Sequence, residues 1–295
     1  MTGARLETIR LPDFGMPTAM LELPAELYAA RVDRTRGRAA ERGYDILVVY
    51  ADREHSANLS YLSGFDPRFE EAILLISGDG EPLLLAGNEC VGMAEAAPLP
   101  MRVELYQDLS LTGQPRDRSR VLDDILASEG VAAGSRVGVV GWKSYADRSW
   151  LEVPAFLADA LRDRVGPDGL VENANDILID AGTGLRATNE VEQLAAFEYA
   201  ACHTSEGVKR LLFGLVPGMS EQEAVQLLRW TGAPLSCHLM LSSGPRASLG
   251  LLSPTDRTIA RGDRFTTAFG IWGALDCRAG FVVEEASELP ASISD

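Results

Sequence analysis

The chain has 295 residues, 46% apolar and 24% charged, with 27 basic against 43 acidic side chains for a formal charge of −16. This is the composition of an ordinary globular protein long enough for two domains, and its acidity without any Lys/Arg cluster argues against nucleic acid as a partner. No apolar run approaches the ~18 residues of a membrane span, and with no secretion pattern the four scattered cysteines are expected to be reduced, in a cytoplasmic protein without membrane contact.

The first ~170 residues alternate helical and strand patterns. "AELYAARVDRTRGRAAERG" predicts an amphipathic helix closed by Gly43, with the arginines of 31–43 on its solvated side. "DILVVY" reads as a buried strand. "EEAILLIS" and "PLLLA" read as two more, joined by the turn "GDGE". "RSRVLDDILASEG" predicts a helix, "RVGVVGW" a strand, and "PAFLADALRDRVG" a helix opened by Pro154. The sum is a layered α/β domain over 1–172. "GVVGW" lacks the G-x-G-x-x-G of a dinucleotide loop.

A different pattern occupies 185–295. Asn189 and Glu192 have capping-box spacing ahead of a long helix with Val191, Leu194, Ala195, Cys202, Val208, Leu211 and Leu212 on its apolar side. Pro217-Gly218 breaks it, and Ser220 with Glu223 forms a second capping box. "CHLMLSSG" follows as a strand. After a Ser/Gly/Pro-rich loop, "RFTTAFG" and "LDCRAGFVV" read as a hairpin turning near Trp272 and Gly273. Helix, helix, strand and strand pair make an α+β unit. The hairpin's small side chains leave room for a pocket, yet 262–283 holds only two carboxylates, Asp263 and Asp276.

Candidate chemistry is sparse. Cys237 and His238, as neighbours on a strand, point to opposite faces and cannot form a dyad with each other. His238 is the candidate catalytic group, because its strand leads into "SSGPRASLG". His55 lies in a polar loop with Asp52, Arg53, Glu54 and Asn58. Phe65 and Arg68 follow a Gly turn, where Arg68 either clamps a ligand carboxylate or pairs locally with Glu70 or Glu71. With three histidines and no H-x-x-x-H or H-E-x-x-H, zinc has little support. G-x-S-x-G, Walker and S-x-x-K sequences are absent, which sets aside the common serine hydrolases and nucleotide hydrolases.

Five segments taken together, "NLSYLSGF", "GLRATNEVEQL", "LVPGMSEQEAV", "SSGPRASLGLLSPTDRTIARGD" and the hairpin, resemble the creatinase/aminopeptidase P/prolidase family in order and spacing. The resemblance implies a creatinase-type N-terminal α/β domain followed by the first half of a "pita-bread" α+β catalytic domain, the remaining half lying beyond Asp295 or its surface being covered by a partner. It also implies that two aspartates on the hairpin chelate metal. Counted from Asp263, those positions hold Ala268 and Ala279, so no metal and no cofactor is expected. Asp276 cannot substitute, since a three-residue shift of register is odd and inverts the face. Creatinase-type enzymes hydrolyse a C–N bond without metal through a histidine, whose position here is Leu251. Dimerisation in this family brings the N-terminal domain to the neighbour's pocket. A homodimer is therefore implied, with Phe65, Arg68, His55 and Arg246 as candidate ligand-binding groups beside His238. Two functions follow: a metal-independent hydrolase of a small amino-acid-like or guanidino compound, or an inactive pseudo-peptidase kept as a ligand-binding or scaffolding module.

Overall fold

The computed structural model describes residues 10, 15–78 and 80–294. Asp79, in the "GDGE" turn, lies outside them. The chain divides into two compact units, 23–189 and 190–295, the latter joined by the first 22 residues.

The 23–189 unit is built on a six-stranded mixed sheet. Its elements are α1 (Ala25–Glu41), β1 (Ile46–Ala51), α2 (Ala57–Ser63), β2 (Ala72–Ser77), β3 (Leu83–Ala86) and β4 (Arg102–Leu105), then α3 (Leu122–Ser128), β5 (Arg136–Val140), α4 (Ala155–Val165), β6 (Leu170–Asn173) and α5 (Asp176–Ile179). The strand order is β4-β3-β2-β1-β5-β6. β1–β2 and β2–β3 pair antiparallel, and the other neighbours pair parallel. All six residues of β1 are buried, because helices cover both of its faces. Leu47 and Val49 pack toward α1, α2 and α5, while Ile46 and Val48 pack toward α3 and α4. A strand buried on both sides therefore reads as the continuous apolar run "ILVVYA".

α1 corrects one expectation. Arg31, placed by its neighbours in the sequence on a solvated face, is fully buried. Its guanidinium lies 5.4 Å from the Tyr28 ring centroid and 4.2 Å from that of Tyr61, and donates to the Tyr61 carbonyl at 3.0 Å. The rings and the carbonyl accept a cation that periodicity alone assigns to water. α2 ends at Gly64, whose φ of 72° is the left-handed C-cap conformation that only glycine adopts without strain.

In the second unit, α6 (Val191–Gly214) and α7 (Glu221–Val225) cover a three-stranded antiparallel sheet of β7 (Met240–Ser243), β8 (Arg264–Phe269) and β9 (Asp276–Phe281). The buried stripe of α6 is Ala200, Thr204, Gly207, Val208 and Leu211, whereas Val191 and Leu194 are exposed. Val208 and Leu211 of the expected stripe hold their place, and the buried face centres on Gly207 rather than on the first turns. A Cβ on Gly207 would lie 2.8 Å from the Phe269 ring, so the sheet meets the helix at its smallest residue. The expected box on Asn189 is also replaced: the N-cap is Glu190, with no side-chain cap bond. The Ser220–Glu223 capping box forms in both directions. Among the described residues no helix is long and apolar enough to cross a membrane.

Candidate active-site floor

Strand register decides what the hairpin offers. Met240 and Cys277 pair on either side of Ala268, and Ser242 and Ala279 on either side of Thr266. Directly paired residues share a face, so these six side chains form one surface of the sheet. Leu241, Phe265 and Phe269 lie on the other and join the core under α6. Asp276 pairs with Phe269 and Arg278 with Thr267, which puts the hairpin's own carboxylate on the helix-covered side. There Asp276 accepts a hydrogen bond from Arg278.

The face turned away from α6 is thus a thioether, two hydroxyls, two methyls and a thiol, with Cys277 and Ala279 exposed and Ser242 and Ala268 buried. The Ser242 and Thr266 hydroxyls are 2.9 Å apart, and both reach the Gly250 carbonyl, at 3.2 and 3.3 Å. A pair of hard divalent ions needs carboxylate or imidazole donors, and this surface has neither. The residues present do not fit the metal pair that the sequence resemblance implies. Among the described residues no group of three or more His, Cys, Asp or Glu side chains could hold a metal ion.

Beneath this sheet sits a polar hub that sequence reading passed over. Glu221, in the first turn of α7, is fully buried. One carboxylate oxygen accepts from the Ser243 amide and hydroxyl at 2.7 and 2.8 Å, and the other from the Thr255 amide and hydroxyl at 2.9 and 2.8 Å and from Arg246. Burial pushes its carboxyl up, but the bonds from Ser243 and Thr255 outweigh this and hold it below the usual carboxylate range. Arg257 adds a second clamp, donating to Ser243 Oγ at 2.6 Å and to Asp263 at 2.8 Å. Asp263 also accepts from the Ala260 amide at 2.8 Å, so the "GD" turn is tied to the loop after β7. Only the Ser220–Glu223 spacing hinted at this region; the partners of Glu221 are 22 to 34 residues away.

Arg246 is committed to Glu221, to Thr255 Oγ1 at 3.1 Å and to the Ser253 carbonyl at 3.0 Å, which makes it a structural cation. His238 is exposed, and β7 starts only at Met240, so the expected strand over Cys237 and His238 is corrected to a loop. The reason is local: Leu235 bridges Ile271 while Met240 pairs with Ala268, leaving more residues on this side than ladder positions opposite. In the 23–189 unit Phe65 is 2% exposed and belongs to the core, so its ring is spent on packing. Arg68 is exposed at φ 59° and pairs with Asp66 at 3.5 Å rather than with Glu70 or Glu71. Glu70 is itself buried and accepts from the Glu89 and Cys90 amides at 3.3 and 3.0 Å. His55 stacks on Trp142 with centroids 3.9 Å apart, its Nδ1 3.0 Å from Asp52.

Residues 31–171 match the family model for the creatinase/prolidase N-terminal domain. A search of curated proteins finds no match in sequence. Among solved structures, the chain is similar to the prolidase of Pyrococcus horikoshii OT3 at a TM-score of 0.64 and 16% identity, over 88% of this chain and 67% of that one. The X-Pro aminopeptidase of Thermotoga maritima MSB8 gives 0.64 and 18% over the same shares. The dipeptidase PepE of Mycobacterium ulcerans gives 0.62 and 18% over 87% and 65%. At these identities the likeness speaks for the fold, an α/β domain followed by a pita-bread portion, as the sequence resemblance implied. Residues 31–171 thus match the creatinase/prolidase N-terminal domain, on a chain with the fold of the prolidases and X-Pro aminopeptidases.

Proposed function

We propose that this chain is a peptidase-like module that binds a small amino-acid-like ligand and does not carry out metal-dependent hydrolysis. One observation carries the reading: the face of the β7–β9 sheet turned away from α6 carries Met240, Ser242, Thr266, Ala268, Cys277 and Ala279, while Asp276 lies on the opposite face beside Arg278. Hydrolysis by a metal-bound hydroxide requires the ion to be held first, and methyl groups supply no donor. The exposed Cys277 and Ala279 beside half-buried Met240 and Thr266 favour a ligand held by shape rather than by charge.

The test is turnover of Xaa-Pro dipeptides by the purified chain with added Mn²⁺ or Co²⁺, beside metal analysis. No turnover and no stoichiometric metal are expected, and manganese-dependent cleavage would sink the reading. A second reading, a metal-independent hydrolase of a small guanidino or amino-acid-like compound, draws on His238. Its exposed ring has no hydrogen-bond partner among the described residues and is open to proton transfer. Under that reading chelator-resistant turnover vanishes in His238→Gln.

A further inference from the structure

We propose that a cleft in the 23–189 unit binds a small monocarboxylate, with the Arg186 guanidinium as its anion partner. The cleft, of about 250 Å³, is lined by Glu54, His55, Asn58, Gly141, Trp142 and Arg186, with the Ala57 methyl. The cleft is built from residues of that unit alone, and its occupancy is tested without reference to the hairpin.

Three observations converge on it. Arg186 Nη1 donates to Asn58 Oδ1 at 2.7 Å, and this is its one hydrogen bond among the described residues, where it has no ion pair. Burial pushes the Arg186 guanidinium below its ordinary value, and the charge of Arg31 adds to the effect. A desolvated cation facing a cavity without a counterion is costly, and an entering anion relieves that cost. Second, the cation is held rigid. Asn58 Nδ2 donates to the Gly141 carbonyl at 2.7 Å and to Asn175 Oδ1 at 3.3 Å, and Asn175 Nδ2 donates to Glu152 at 3.0 Å. Glu152 is the buried carboxylate of this network, but two amides separate it from Arg186, so it does not pair with the guanidinium. Third, apart from the Glu54 carboxylate, the rest of the lining is a flat ring pair beside Gly141 and the Ala57 methyl. The His55–Trp142 stack has an interplanar angle of 17°, and His55 is anchored from outside by both Asp52 oxygens at 3.0 and 3.2 Å.

An anion partner at one end and a ring stack beside it select a carboxylate on a compact, flat body. Glu54 at the rim, whose nearest cation is Arg53 at 3.7 Å, disfavours a second negative charge on the ligand. The experiment is calorimetric titration of the full chain with sodium benzoate, with benzamide as the neutral isostere. Saturable one-to-one binding of benzoate is expected, with benzamide at least about tenfold weaker. Arg186→Gln, which keeps a donor for Asn58, should lose the same factor, while Arg118→Gln on the surface of the same unit should lose nothing. Equal affinity for benzoate and benzamide, or no saturable benzoate binding, overturns the proposal without recourse to any variant. So does a folded Arg186→Gln protein that binds as the wild type does, or an Arg118→Gln protein that binds no better than Arg186→Gln. Prolidase assays do not enter this test, so its outcome leaves the hairpin reading where it stands.

Discussion

Glu221→Gln is the substitution whose cost follows most directly from the geometry. The carboxylate accepts five hydrogen bonds from three residues and neutralises Arg246. Glutamine retains one acceptor oxygen, which can serve either the Ser243 donors or the Thr255 and Arg246 donors. Its amide nitrogen then faces donors on the other side, and Arg246 loses its countercharge. Hydrogen bonds to a charged group contribute about 1.5–3 kcal/mol each, but they share one acceptor and do not add. Removing one partner of a buried pair costs about 3–5 kcal/mol, and that is the loss expected here. With a urea m-value of about 1–3 kcal/mol/M, the midpoint should fall by roughly 1–5 M. Trp230 and Trp272 report on the 190–295 unit and Trp142 and Trp150 on the other, so the transition is assigned in a Trp142→Phe/Trp150→Phe background. The pH dependence has a definite sign. Because the folded carboxyl titrates below its ordinary 4.5, its contribution is complete above pH 4.5 and is lost as pH falls through the lower folded value. Wild type should therefore lose stability on acidification below pH 4.5, and Glu221→Gln should lose less of it. A midpoint shift worth under about 0.5 kcal/mol, within the range of ordinary surface substitutions, would refute the reasoning.

Other expectations follow from single contacts. Gly64→Ala combines a positive φ with a Cβ 2.5 Å from the Pro98 ring, and thermal melting should show a loss of at least about 1–3 kcal/mol. Leu74→Ala, at a fully buried position of the central sheet, should cost about 2–5 kcal/mol in the same assay. The Cys90 thiol is pushed up to about 12, first by burial and then by Glu70, and it donates to the Pro67 carbonyl at 2.9 Å. Exposed Cys277 should accordingly react with a disulfide reagent in the native protein, and Cys90 only after unfolding; mass mapping of the modified thiols checks this. Asp276→Ala removes a surface partner of Arg278 and should change stability by less than about 1 kcal/mol.

Legibility in the sequence tracked how local the signal was. β1, β2, β3 and the hairpin announce themselves because each is an uninterrupted apolar or β-branched run, and the Ser220 box because both partners sit three residues apart. β4, "RVEL", and β6, "LVEN", went unread. They are four-residue edge strands with polar residues on an exposed side, and they exist only because β3 and β5 are there to pair with. The burial of Arg31 and the commitment of Arg246 were invisible for a different reason. Each depends on a partner 25 to 30 residues away, and a charged residue in a helical pattern carries no mark of it. For the site, composition and count were enough to find the methyl groups at 268 and 279. The cleft at Arg186 was not legible, because its lining comes from three distant stretches of chain.

The alternation along β9 also limits how a cation-binding floor could be regained. One residue inserted between Gly270 and Leu275 would swing Asp276 outward, but it would also drive Cys277 and Ala279 under α6 and push Gly280 and Arg278 into the open. Backbone pairing would survive while every contact on both sides was exchanged. Oxygen donors can therefore return only by replacing individual side chains, and Ala268, 1% exposed in the middle strand, would have to receive its carboxylate at the same time as the ion that neutralises it.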